Sequence, residues 1–239
     1  MVAILASSFV MPVFGHQEKQ RSPATDELVR QFIGERVFWK QLEIGKKLVA
    51  SHDPSVLNDL AELLKHEDRH LRGNVAFVFA GLGDERGFAV ITAILEDRSD
   101  RPEGQGQVVG SSDGRYHVDQ QVRADRYYAA HLLGDIKDRR AVPILVQLLR
   151  DEDVKFIVPW ALGEIGDKDA DAPLIDALND NDPSFRVYVI HALEKLGARE
   201  ALPKLRELLP DQEMSRLGDR VSVSATAKAA IAKLEATPQ

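Results

Sequence analysis

The chain has 239 residues, 44% of them hydrophobic, which is ample for a sizeable core. Its net charge is −7 and it holds no lysine- or arginine-rich run, so no nucleic-acid partner is expected, because phosphate binding needs a basic face. It contains no cysteine, which excludes disulfides, thiolate metal sites and cysteine nucleophiles.

Met1 to Gly15 carries no charged side chain, and Val2, Ile4, Leu5, Phe9, Val10, Val13 and Phe14 make it apolar. The stretch is too short to span a bilayer. It has the length of a signal-peptide core, although the usual basic n-region is missing. Two readings stand. Residues 1–20 hold an export signal, which sends the mature chain to the periplasm or the exterior without a membrane span. Otherwise they are an apolar segment packed on the first helix of a cytoplasmic protein.

Residues 21–239 read as helices throughout. A stretch over about 24–50 comes first, broken near Gly34. Pairs follow at 54–65 with 68–82, 85–96 with 121–136, 139–150 with 153–165, 169–179 with 183–196, and 199–209 with 219–235. Asp53-Pro54-Ser55 and Asp182-Pro183-Ser184 are helix starts. Pro159 falls inside the helix expected at 153–165 and should kink it. The last helix, rich in alanine and lysine, closes the series as a polar cap.

The pairs repeat. Pro143, Pro173 and Pro203 stand 30 residues apart, and Leu145, Ile175 and Leu205 keep the same step. A fixed period of this size marks a solenoid, in which each unit buries its apolar face against its neighbours. The unit ends at Gly83, Lys137, Gly166 and Gly197. Glycine there tolerates a left-handed turn, and an aspartate next to it caps the following helix. A base stands eleven residues earlier, at Arg72, Arg126, Lys155 and Arg186. The period breaks once, where about 24 residues are inserted over roughly 98–121. They are polar and turn-rich, with Gly104, Gly106, Gly110 and Gly114, and read as a loop that is either functional or tolerated.

Ala161-Leu162-Gly163-Glu164-Ile165-Gly166-Asp167, with Arg139 to Leu145 and Asp180 to Leu196, resembles the HEAT-like repeat of the phycobilisome-lyase group. The resemblance covers about residues 54–235, and 24–50 more weakly. It implies an all-α, right-handed α-solenoid of about five stacked helical hairpins. It also implies a structural ladder in which Arg72, Arg126, Lys155 and Arg186 pair with Asp84, Asp138 and Asp167. Ala198-Arg199 replaces the aspartate after Gly197, so the ladder would end there. For function the resemblance is broad, since members include bilin lyases, deoxyhypusine hydroxylases and plain binding scaffolds. The hydroxylases hold two irons with paired His-Glu dipeptides, and this chain has one, His66-Glu67.

No phosphate-cradling loop follows a strand, and no serine sits in a nucleophile elbow. His66 and His70 are four apart and could share a helical face as metal ligands, but two histidines fall short of a coordination set, so no metal is expected. Register instead gathers aromatic residues. Asn74, Tyr128, Ile157 and Tyr188 form one column of the second helices, and Phe77, His131, Trp160 and His191 form another. Tyr127 and Phe156 lie beside them. Side chains of this kind anchor partners, although Phe77 and Phe156 also suit gaps between helices. The sequence thus points to a non-catalytic scaffold. It would bind a protein or peptide on a concave face lined by Tyr127, Tyr128, His131, Phe156, Trp160, Tyr188 and His191, without a cofactor. A bilin lyase-like, chromophore-handling subunit is the alternative.

Overall fold

A computed structural model describes residues 21–99, 118–217 and 220–236. Residues 1–20, with their two readings, and most of the 98–121 insertion lie outside the described residues. Twelve α-helices occupy the described chain. They are α1 (Pro23–Gly34), α2 (Phe38–Ala50), α3 (Val56–Leu60), α4 (Arg69–Gly81), α5 (Glu85–Glu96) and α6 (Val118–Ile136). Then come α7 (Val142–Leu148), α8 (Val158–Ile165), α9 (Asp171–Ala177), α10 (Pro183–Leu196), α11 (Leu202–Glu207) and α12 (Val223–Ala236). None of them is long and apolar enough to cross a membrane.

Two local devices repeat. Each even helix through α10 ends in a left-handed residue: His52 (φ 51), Gly83 (φ 87), Lys137 (φ 59), Gly166 (φ 75) and Gly197 (φ 65). The next residue is Asp53, Asp84, Asp138 or Asp167 in four of these turns. Its carboxylate accepts the backbone N–H two residues on, from Ser55, Arg86, Arg140 or Asp169, at 2.9–3.0 Å. That bond satisfies a donor which the following helix leaves open. A 3-10 turn then leads into α7, α9 and α11, with Pro143 and Pro203 at their starts.

The even helices pack in sequence, α2 on α4 and so on to α12, and the odd helices back them. The core runs between the two rows through Phe32, Leu48, Phe79, Leu95, Leu133 and Phe185. This is an all-α, HEAT-like solenoid. The break expected near Gly34 divides the stretch over 24–50 into α1 and α2, which pair ahead of the five expected hairpins. Two sequence expectations change. The 98–121 insertion is not loop to its end, because α6 starts at Val118. And α8 starts at Val158 rather than 153, so Pro159 stands in its first turn and kinks nothing. Val158 N–H takes the Lys155 carbonyl at 3.3 Å, and the ladder resumes with Ala161 N–H on the Ile157 carbonyl at 3.0 Å.

Candidate functional site: an aromatic wall on the even helices

The two columns expected on the second helices come together, and α2 joins them. His131 stacks on Trp160 with ring centres 4.4 Å apart and planes at 19°. On its other side Tyr128 lies parallel at 6.3 Å. Tyr128 meets the edge of Phe38 at 5.0 Å, and Phe38 stacks on His70 at 4.4 Å. Trp39 stands edge-on to Phe38 at 5.1 Å and is 60% exposed. The result is one continuous run of rings from Trp39 to Trp160. A second group lies further along, where Phe156 meets Tyr188 at 6.2 Å and Phe185 at 5.9 Å. Tyr127 on α6 and His191 on α10 are exposed.

This wall bends inward rather than standing as an open ridge. Phe38 and Tyr128 belong to α2 and α6, which meet across α4. So do Lys46 and Asp135, whose charged groups are 3.2 Å apart. Beneath them Asn74 and Phe77 are buried. Tyr128 therefore acts as a cover. Its hydroxyl donates to Asn74 Oδ1 at 2.5 Å. Asn74 Nδ2 in turn donates to the Phe38 carbonyl and to Gln41 Oε1, both at 2.9 Å. Burial pushes the Tyr128 hydroxyl pKa well up, so it remains a donor at neutral pH. Phe156 is likewise packed between rings. Asn74, Phe77, Tyr128 and Phe156 thus build the wall, while Trp160, Tyr188, His131, Tyr127 and His191 present surface.

Burial holds the His131 imidazole below its usual pKa. Asp135, 3.7 Å from Nδ1, and Glu164 pull the other way, and Lys46 adds to the depression. A neutral ring between Trp160 and Tyr128 is the result at pH 7. Close approach of α6 and α8 makes the slot. A Cβ placed on Gly134 would stand 2.7 Å from Trp160 Cζ3 and 2.9 Å from the Ala161 Cα.

The ladder of bases is present with other acids. Arg126 Nη2 donates to Asp151 at 2.5 Å, Lys155 Nζ to Asp180 at 3.3 Å, and Arg186 Nη2 to Asp211 at 2.8 Å. Each acid stands 25 residues after its base, in the turn between the two helices of the next pair. Each also accepts the N–H of the residue two further on with its other oxygen. Asp84, Asp138 and Asp167, the acids expected from the resemblance, cap the next helix or 3-10 turn instead. Their side-chain partners are Arg86, Arg140 and Arg139. Among the described residues Arg72 pairs with no acid and donates to the His66 carbonyl.

His66 and His70 do not converge. His66 Nδ1 accepts the Asp68 N–H at 3.0 Å, and His70 is committed to the wall, with Nε2 3.6 Å from Asp125. Among the described residues no cluster of three histidine, aspartate or glutamate side chains could hold a metal ion. Phe38, Trp39 and His70 are wall residues that sequence reasoning missed. A signal existed: His52-Asp53 parallels Gly83-Asp84 one repeat later, but histidine does not announce a left-handed residue as glycine does.

Residues 118–181 and 154–217 match the HEAT-repeat family. The chain is 37% identical over 95 residues to phycocyanobilin lyase subunit alpha of a Picosynechococcus species, covering 35% of each protein. It is 33% identical over 100 residues to the bilin biosynthesis protein PecE of Mastigocladus laminosus, covering 41% of this chain and 37% of that one. It thus spans little over a third of the length of the curated relatives it matches. Their names overturn the expectation of a chain outside enzymology, since one of them is a lyase subunit. Residues 118–217 thus carry HEAT repeats, and the chain is similar over a little more than a third of its length to proteins of the phycobilisome-lyase group.

Proposed function

We propose that this chain is a bilin lyase-like subunit that holds an open-chain tetrapyrrole against the aromatic wall. The likeness to two proteins named for bilin chemistry carries the reading. The geometry agrees with it: a conjugated, nearly planar ligand suits parallel rings such as His131 and Trp160, and ring stacking contributes about 0.5–1.5 kcal/mol per pair beyond area burial. A neutral His131 beside them can give or take a hydrogen bond at a ligand nitrogen or carbonyl. With no cysteine in its 239 residues the chain offers no thiol for a thioether. It therefore presents the pigment to another protein. Tyr127, Tyr188, His191 and the exposed Trp39 serve as the docking surface for that partner, being the residue types that dominate interfaces.

Titration of the purified chain with phycocyanobilin, followed by visible absorbance and induced circular dichroism, tests this. A saturable band shift is expected, weakened about tenfold in a Trp160→Ala, His131→Ala double variant, as loss of one or two stacked contacts implies. A pigment spectrum unchanged by excess protein would remove the reading.

A further inference from the structure

A base stands eleven residues before four of the five left-handed residues, and among the described residues it is neutralised by an acid in three of these repeats and not in the fourth. Arg126, Lys155 and Arg186 each reach an aspartate 25 residues further on. The aspartate in that place for Arg72 is Asp97, and it is taken. Its Oδ2 lies 2.6 Å from Arg69 Nη2, and its Oδ1 accepts from the Ser99 N–H and hydroxyl. Arg69, which is buried, also reaches Asp125 at 3.3 Å. Two arginines thus stand on the first turn of α4, and the acids of the rung go to one of them.

Among the described residues Arg72 donates only from Nη1, to the His66 carbonyl at 2.6 Å. No carboxylate lies within ion-pair distance among the described residues, and the Nε and Nη2 edge has no partner there. The side chain is half-buried, and burial, together with the neighbouring Arg69, depresses its pKa against the pull of Asp97 and Asp68. A partly buried cation without a counter-ion is costly, and uncompensated charges of this kind gather where ligands bind. Arg69, whose charge acts on Arg72, shares Asp125 with His70 of the wall, at 3.3 and 3.6 Å.

We propose that Arg72 is a carboxylate-binding site, in which an acid group of the ligand completes the rung that Asp97 leaves open. This rests on the bilin reading above. An open-chain tetrapyrrole carries propionate side chains, and the free edge of a guanidinium donates two parallel hydrogen bonds to a carboxylate. The rings of the wall hold the conjugated body, and Arg72 fixes its direction along the wall by one acidic arm.

The test compares phycocyanobilin as the free diacid with its dimethyl ester, on wild type, Arg72→Gln and Arg72→Lys, by the same spectral titration. Wild type is expected to bind the diacid about tenfold more tightly than the ester, as for one charge-assisted pair. Arg72→Gln should abolish that preference and leave ester affinity unchanged, and Arg72→Lys should keep part of it. Equal affinities for diacid and ester in wild type, or a preference that survives in Arg72→Gln, overturn the proposal while the chromophore reading stands. If neither pigment binds wild type, both fall. The wild-type comparison and Arg72→Lys decide the matter even if Arg72→Gln folds poorly.

Discussion

Asp151 shows how much one side chain does in this stack. Its Oδ1 accepts the Asp153 N–H at 3.1 Å and so shapes the turn between α7 and α8. Its Oδ2 takes Arg126, which is buried and also donates from Nε to the Leu95 carbonyl at 2.8 Å. One residue pair therefore ties three successive segments. Burial pushes the Asp151 pKa up, but Arg126, the Asp153 N–H and Arg98 outweigh it and hold it below the ordinary carboxylate value. A carboxylate with a folded pKa below its unfolded one stabilises the fold above the unfolded value, about 4, and loses that contribution as the pH falls through the folded value. Arg126→Ala should therefore cost about 1–3 kcal/mol at pH 7, because it removes the buried charge-assisted partner of Asp151 and leaves only the exposed Arg98, 2.6 Å away, as its cation. The penalty should narrow as the pH drops from about 5 towards 3. Urea melts of both forms across that range measure it, and a penalty independent of pH would show that lost packing, not charge, dominates. The bases of this ladder are legible from spacing alone. Their acids are equally periodic, but the turn aspartates beside the glycines draw the eye first, and only coordinates show that the bases reach the aspartates 25 residues on while those beside the glycines cap helices as expected.

Helix boundaries follow capping chemistry closely where the caps are ordinary. Glu85–Glu96 and Pro183–Leu196 fall where Asp84 and Asp182 announce them. The reading fails at α8, where residues 154–157, apolar except for Lys155, look helical but form turns, so that Pro159 enters at the helix start. At α2 the stretch ends at Ala50 as expected, but with a histidine rather than a glycine in the left-handed position its place in the repeat goes unread. Both misses have one cause: local spacing reports which residues are buried, not which backbone groups are hydrogen-bonded. Pro159→Ala is accordingly expected to change stability by less than about 1 kcal/mol, since a first-turn proline gives up no helical bond. Gly134→Ala, a change of the same size one helix away, should cost about 1–3 kcal/mol, because its methyl meets Trp160 and the α8 backbone. It should also shift Trp160 emission, which reports the slot directly. Thermal melts of the two variants side by side check the contrast, and a proline substitution as costly as the glycine one would restore a kink to α8.

Solenoids are held together by neighbours, and their stability is close to a sum of repeat and interface terms. The period near 30 residues makes that stack readable from the sequence. What it hides is the departure from it. Phe38 and Tyr128, or Lys46 and Asp135, are some ninety residues apart, and no spacing rule joins a first repeat to a third. Yet these pairs close α2 onto α6 over α4, through ring contact at 5.0 Å and a charge pair at 3.2 Å. The consequence is cooperative. α2, α4 and α6 should open as one unit, while α10 and α12 depend only on their neighbours. Hydrogen exchange should give the amides of α2, α4 and α6 a common opening free energy in wild type. A Phe38→Ala, Lys46→Ala double variant should lower the protection of α2 by about 1–4 kcal/mol relative to α6, the sum expected from the ring pairs of Phe38 with His70 and Tyr128 and one partly exposed ion pair. Protection in α10 and α12 should not move. If α2 already exchanges faster than α6 in wild type, the wall is open in solution, and the covered Asn74 would then be reachable from the groove.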